Sequence, residues 1–346
     1  MIEGTEGTSA GDVPALLRVE DLHVTFTMGR RGLRRRSGRV VRAVDGVDLD
    51  IGRGEIVALA GESGCGKTTL ARTIMGFVRP GSGRIVFDGE PLGNDLKRYR
   101  KQVQMVYQDP SGALDPRQTV YDAVAEGLRI HSVPGDEETL VAAALAGAGL
   151  RPAKRFFLRF PHELSGGQRQ RVVIAGALAL EPRVIVADEP VSNLDASVRG
   201  EILRLLLELR RTSGISVLIV THDLGLAWTV ADRVAVMYLG RIVEVGPTRE
   251  VLLRPRHPYT RALLDVVPDA VARKERRPLL TGEPPDPTQV PGGCRFHPRC
   301  PALATGDAAR TGVDGACRSV DPELAGTASS HLAACHLAQA VGTPVP

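Results

Sequence analysis

The chain has 346 residues, long enough for a sizeable core, and its 44 basic and 40 acidic side chains leave a formal net charge of +4, too small to indicate a nucleic-acid partner. Hydrophobic residues at 43% and charged residues at 24% are ordinary for a globular protein and exclude a mostly disordered chain, while 4% aromatics is too sparse for a base-stacking platform. Apolar runs such as Val172–Leu180 and Ile215–Val220 fall far short of the ~20 residues that span a bilayer, and the start has no basic or apolar leader, so a cytoplasmic chain is expected.

Residues 1–16 read as a flexible tail. Leu17–Phe26 and Val40–Ile51 alternate apolar and polar residues, which predicts two strands of a half-exposed sheet. Between them Arg30, Arg31, Arg34, Arg35, Arg36 and Arg39 form either an anion or lipid-headgroup contact or a solvated loop. Glu55–Ala60 is a short apolar strand that runs into Gly61-Glu62-Ser63-Gly64-Cys65-Gly66-Lys67-Thr68 and a helix to about Gly76. Arg84–Asp88 predicts another strand. Val120–Ile130 and Glu138–Leu150 have helical spacing, a third helix starts near Ser165, and an inserted helical unit is expected over about 109–180.

Arg183–Asp188 and Ile215–Thr221 are near-continuous apolar runs, the pattern of strands buried on both faces. Their alternation with helices predicts an α/β core with a mostly parallel sheet, beside the antiparallel N-terminal sheet. Val234–Tyr238 and Ile242–Val245 predict a hairpin. From Pro268 onward Pro and Gly rise, periodicity vanishes and cysteines appear. The expected division is therefore a unit over 17–267 and an irregular, cysteine-rich extension over 268–346.

The segment from Gly61 fits G-x-x-x-x-G-K-[ST] and stands where that motif requires, between a strand and a helix. Glycines let backbone N–H groups turn toward phosphate oxygens, and the helix N-terminus adds its positive end. Candidate phosphate-binding residues are Gly61, Ser63, Gly64, Cys65, Gly66, Lys67, Thr68 and Thr69, with Lys67 a point charge for the β and γ phosphates and Thr68 a Mg²⁺ ligand. Asp188 ends an apolar strand, suited to holding Mg²⁺, and the adjacent Glu189 is placed to polarise a water. Taken alone, Gln108 and His222 are as readily structural as catalytic.

Leu164-Ser165-Gly166-Gly167-Gln168 resembles the signature of ABC-type ATPases, and the P-loop, Gln108, signature, Asp188-Glu189, Ser192–Asp195 and His222 follow that family's order. The resemblance implies two nucleotide-binding domains packed head to tail, with ATP and Mg²⁺ between the P-loop of one and the signature of the other. On that pattern Ser165, Gly166, Gly167 and Gln168 act on the neighbour's ATP, and Asp195 couples the two sites. Glu189 is the catalytic base, His222 contacts the γ-phosphate, Gln108 senses Mg²⁺ together with Thr68 and Asp188, and Phe26 stacks on adenine.

Past the hairpin, RHPYTRALLDVVP (Arg256–Pro268) and GCRFHPRCP (Gly293–Pro301) resemble the C-terminal extension of ATP-binding subunits from bacterial oligopeptide and dipeptide importers, a group that includes nickel importers. The arginine-rich insertion and QDPSGALDPRQTV are similar to the second ATPase subunit of such systems. The resemblance implies a sister ATPase, two membrane-spanning permeases, an extracytoplasmic binding protein and a place on the cytoplasmic face of the membrane. Cys294, Cys300, Cys317 and Cys335 read as C-x5-C-x16-C-x17-C, four thiolates that either Zn²⁺ or a [4Fe–4S] cluster accepts. Some members of the importer group carry such a cluster on cysteines of this tail, which favours iron–sulfur; His297, His331 and His336 stand beside the cysteines. The rival readings are a non-transport ABC ATPase acting on nucleic acid or the ribosome, and import of nickel or another small solute.

Overall fold

The computed structural model describes residues 15–28, 38–265, 282–283, 285–326 and 330–341. Arg30, Arg31, Arg34, Arg35 and Arg36 lie outside the described residues, as does the composition shift at Pro268. The strands in the first half are β1 (Leu17–Met28), β2 (Arg39–Ile51), β3 (Ile56–Ala60), β4 (Ser82–Phe87), β5 (Glu90–Pro91) and β6 (Val103–Val106). They continue as β7 (Val184–Asp188), β8 (Ser216–Thr221), β9 (Arg233–Tyr238), β10 (Arg241–Pro247) and β11 (Leu332–Ala333).

Two sheets form. An antiparallel one has the order β2-β1-β4-β5, and the larger has the order β11-β10-β9-β3-β8-β7-β6. In the larger sheet β9, β3, β8, β7 and β6 run parallel, while β10 and β11 add antiparallel pairs at one edge. Every residue of β3, β7 and β8 is buried, which is why those segments are continuous apolar runs rather than alternating ones. In β1 the alternation survives because one face is covered: Leu17, Val19, Leu22 and Val24 are buried, and residues between them are not.

The helical unit contains Val120–Ile130, Glu137–Gly147 and Gly166–Leu178, capped by the side chains of Thr119, Asp136 and Ser165. Its buried face is not a separate core. Val124, Leu128, Leu145 and Ile174 belong to one apolar cluster with Ile185, Val217 and Ile219 of the sheet.

Three expectations change. Leu16 is not part of a flexible tail, since it is buried and its N–H donates to the Ile51 carbonyl at 2.8 Å. The 18-residue helix Ala196–Ser213 goes beyond the expected elements; it buries Ile202, Leu205, Leu206 and Leu209 on one face. The described part of the C-terminal extension is not irregular. Short helices at Pro301–Ala304, Asp307–Arg310, Asp314–Ser319 and His336–Val341 carry it, and β11 joins the main sheet through Glu244↔Ala333 and Val245↔Leu332. Helices of four to six residues complete too few turns to print a 3.6-residue period on the sequence.

Candidate active site

The P-loop connects β3 to the helix Lys67–Ile74. Two of its glycines are required by close backbone approach. A Cβ on Gly61 would stand 2.3 Å from the Met237 carbonyl oxygen, and one on Gly66 would stand 2.1 Å from that of Ala43. Gly66 also has φ +112°, a conformation that only glycine adopts freely. The buried Lys67 ammonium folds back over the loop, donating to the Gly61 and Glu62 carbonyls at 2.8 Å each. Phe26, residues Ser63 to Thr69 and Glu189 line one open cleft of about 300 Å³, closed on other sides by Val41, Arg42, Leu239 and Pro287.

The catalytic candidates meet because β6, β7 and β8 are adjacent and parallel, so the residues that follow their C-terminal ends cluster. Gln108 Nε2 donates to Glu189 Oε2 at 3.0 Å, and His222 Nδ1 lies 3.2 Å from Glu189 Oε1. Glu189 thus takes a hydrogen bond on one carboxylate oxygen and has the His222 ring close to the other. It also adopts φ +46°, a left-handed conformation that is uncommon and strained for a non-glycine residue. Thr68 Oγ1 donates to Asp188 Oδ1 at 3.3 Å. Burial pushes the Asp188 carboxyl above its usual range, Thr68 offsets part of this, and the Glu189 charge adds to it. A hydroxyl beside a carboxylate, with Lys67 and Arg72 near enough to oppose part of its upward shift, is a donor set that fits Mg²⁺.

Residues 44–192 match the ABC transporter family, and residues 243–305 match the oligopeptide/dipeptide transporter C-terminal region. The chain is 40% identical to the oligopeptide transport ATP-binding protein AppF of Bacillus subtilis, covering 95% of this chain and 99% of that one. The chain belongs to the ABC transporter ATPases of the oligopeptide/dipeptide group. This ABC ATPase is also 41% identical to a putative peptide import ATP-binding protein of Brucella ovis, over 85% of this chain and 92% of the relative. Against the glutathione import ATP-binding protein GsiA of Escherichia coli it is 45% identical over 81% of this chain but only 46% of the relative. Among solved structures, cbiO1 from Clostridium perfringens, part of the transporter complex cbiONQ, aligns with a TM-score of 0.60 and 33% identity, over 69% of this chain and 91% of that one. A dimeric ATP-binding cassette, MJ0796 bound to ADP and Pi, aligns with a TM-score of 0.59 and 29% identity, over 67% and 99%.

The signature of this ABC ATPase is not part of the P-loop cleft. Ser165 caps the helix Gly166–Leu178 through a reciprocal pair of bonds with Gln168. A Cβ on Gly167 would stand 2.5 Å from Val198, so the signature packs tightly on the helix Ala196–Ser213. Asp195 is the exposed N-cap residue of that helix, yet its side chain makes no capping bond. Two residues inside the C-terminal motifs touch the P-loop, a contact the sequence did not assign to them. Tyr259 Oη accepts the Glu62 N–H at 2.9 Å, and Arg299 forks onto the Glu62 carboxylate.

Cys294, Cys300, Cys317 and Cys335 line one small, closed cavity with His257, Phe296, His297 and His336. His331 is elsewhere, bonded to the buried Glu244 at 2.7 Å. Burial pushes all four thiols up, Cys294 and Cys335 to about 12, and nearby cysteines contribute. Among the described residues no three His, Cys, Asp or Glu stand close enough to hold one metal ion. Cys65 is buried in the P-loop, apart from this set.

Proposed function

We propose that this ABC ATPase powers import of oligopeptides or dipeptides through a pair of membrane permeases, working at the cytoplasmic face of the membrane beside a sister ATPase. The match of residues 243–305 to the oligopeptide/dipeptide C-terminal region carries this reading, and the names of the AppF and Brucella relatives support it. An extracytoplasmic binding protein would supply the cargo. Among the described residues no helix is long and apolar enough to cross a membrane. The test is an affinity pull-down of Glu189→Gln protein with ATP from gently solubilised membranes. Two permeases and a sister ATPase are expected; ribosomes, DNA or no membrane protein would overturn the reading.

In the proposed cycle, ATP lies between Lys67, Thr68 and the P-loop amides of one subunit and Ser165 and Gly167 of the other, with Phe26 against adenine. Ser165 presents its hydroxyl at a helix N-terminus, a ready anion site, with Gly166 and Gln168 shaping that turn. Mg²⁺ held by Thr68, Asp188 and Gln108 would balance phosphate charge. Glu189 orients and deprotonates the attacking water, while His222, 3.2 Å from Glu189, faces the γ-phosphate. Gln108 ties Glu189 to the segment that follows β6, and Asp195, uncommitted to its own helix, is free to contact the partner.

The four tail cysteines are proposed to hold a [4Fe–4S] cluster. His257 supplies the supporting observation. Its Nδ1 accepts the Tyr259 N–H at 3.0 Å, and burial holds the ring neutral with its pKa pushed down to about 4, so Nε2 carries the hydrogen. That N–H is buried without a hydrogen-bond partner, in a residue that lines the cysteine cavity. An orphan donor beside four cysteines, two buried and two half-buried, fits an anionic sulfur acceptor. When bound, the cluster would stabilise thiolates and cross-link the tail; the cysteines and His257 would hold and orient it. Iron, labile sulfide and zinc are to be measured on anaerobically purified protein. About four irons per chain are expected, whereas stoichiometric zinc or no metal would overturn the assignment.

A further inference from the structure

Glu62, the second residue of the P-loop, is held at every polar group. Its N–H donates to Tyr259 Oη at 2.9 Å, and its carbonyl accepts from Lys67 Nζ at 2.8 Å. Its carboxylate takes both arms of the Arg299 guanidinium at 2.9 and 3.1 Å. A carboxylate within a loop built to cradle phosphates repels the ligand unless its charge is cancelled. Arg299 supplies that cancellation from 237 positions away in the chain, with a side chain only 6% exposed. The bonds from Glu62 hold the guanidinium above its ordinary range.

The opposite wall of the cleft is braced in the same way. Arg295, also 6% exposed, donates to the Leu239 carbonyl at 2.6 Å and to the Asp45 carboxylate at 2.5 Å. Burial alone would raise Asp45, but the bond and charge of Arg295, with His23 and Arg42, outweigh it and hold the carboxyl below its usual value. Between the two arginines Phe296 is fully buried, with ring centroids 5.3 Å from both Tyr238 and Tyr259. That aromatic wedge fixes the spacing of the two struts.

We propose that Arg299 is a positioning residue of the nucleotide site. It neutralises Glu62 and fixes the first turn of the P-loop, while Arg295 braces the facing wall. The C-terminal module thereby completes the ATP pocket. Neither contact needs a metal in the cysteine cavity, so the assignment stands apart from the cluster.

The test is a charge-repair cycle in the full chain, reading KM for ATP and kcat separately for Arg299→Ala, Arg299→Lys, Glu62→Gln and the Arg299→Ala/Glu62→Gln pair. Arg299→Ala is expected to raise KM about tenfold with kcat changed less than about twofold. Arg299→Lys recovers part of this, since a point charge replaces the fork. The double variant returns KM to within about twofold of wild type, because no unpaired carboxylate remains. Loosening of the tail alone would not be repaired by Glu62→Gln. A double variant as weak as Arg299→Ala, or an Arg299→Ala protein with wild-type KM, overturns the proposal. Should Arg299→Ala fail to fold, the double variant decides by itself: a near wild-type KM supports the assignment, and a loss of about tenfold or more overturns it.

Discussion

Glu189 sits where strain, hydrogen bonding and position coincide, with a left-handed backbone, a bond from Gln108 and a contact to His222. Glu189→Gln keeps the size and both contacts while removing the proton acceptor. Steady-state ATP hydrolysis by the variant should fall by about 10²- to 10⁴-fold, with ATP-driven dimerisation on a sizing column retained. Wild-type turnover would show that another group takes the proton. Cys65 gives a second residue-scale expectation. Burial raises its thiol pKa, and the nearby Lys67 only partly opposes this. Thiolate is therefore scarcer than in a free cysteine at pH 7, and reactivity should rise with pH up to the raised pKa. Alkylation followed by mass spectrometry should find Cys65 at least about tenfold slower than free cysteine at pH 7. Fast labelling at neutral pH would mean an exposed, activated thiol.

At the scale of elements, the P-loop turn depends on glycines to different degrees. A Cβ at Gly66 meets the Ala43 carbonyl of β2, whereas one at Gly64 meets nothing within 4 Å and incurs mainly the φ +78° penalty. Gly64→Ala should cost about 1 kcal/mol of stability and Gly66→Ala about 3 kcal/mol or more, by denaturant unfolding. Equal costs would contradict the backbone clash. Local patterns of this kind were legible in the sequence: β3, β7 and β8 are continuous apolar runs, and the P-loop lies in eight consecutive residues. The helix Ala196–Ser213 carried its own signal, Ile202, Leu205, Leu206 and Leu209 at helical spacing, between charged residues that dilute it. The meeting of Gln108, Glu189 and His222 needed the order β6-β7-β8, which the sequence did not carry; resemblance supplied only their roles. Tyr259 and Arg299 stood within recognisable C-terminal motifs, but their partner did not, because they reach Glu62 across 197 and 237 positions. The tail hid its order for the reason its helices are short.

Across the whole molecule, the C-terminal module is tied to the ATPase at two places of unequal strength. Phe296 shares an apolar cluster with Ala58, Ala60, Val234 and Val236 of the central sheet, so residues around 293–300 belong to the main core. The last segment packs Leu324 and Leu332 on the ATPase core at its edge, and its Cys335, Leu337 and Ala338 form a small cluster with Ala302. It is fastened by Glu244, fully buried on β10, which accepts the N–H groups of Arg256 and His257 at 2.7 and 3.0 Å and a bond to His331 at 2.7 Å. His331→Ala removes a partner from a buried carboxylate, at a cost of about 2–4 kcal/mol. Because the contact fastens one end of the chain and not the sheet, that cost should appear as local opening. Pulsed alkylation should show Cys335 labelled at least about tenfold faster in the variant, while Cys65, inside the main core, keeps its wild-type rate. Parallel acceleration of both cysteines would mean that tail and ATPase open as one cooperative unit, and that β11 secures the nucleotide site as firmly as the arginines do.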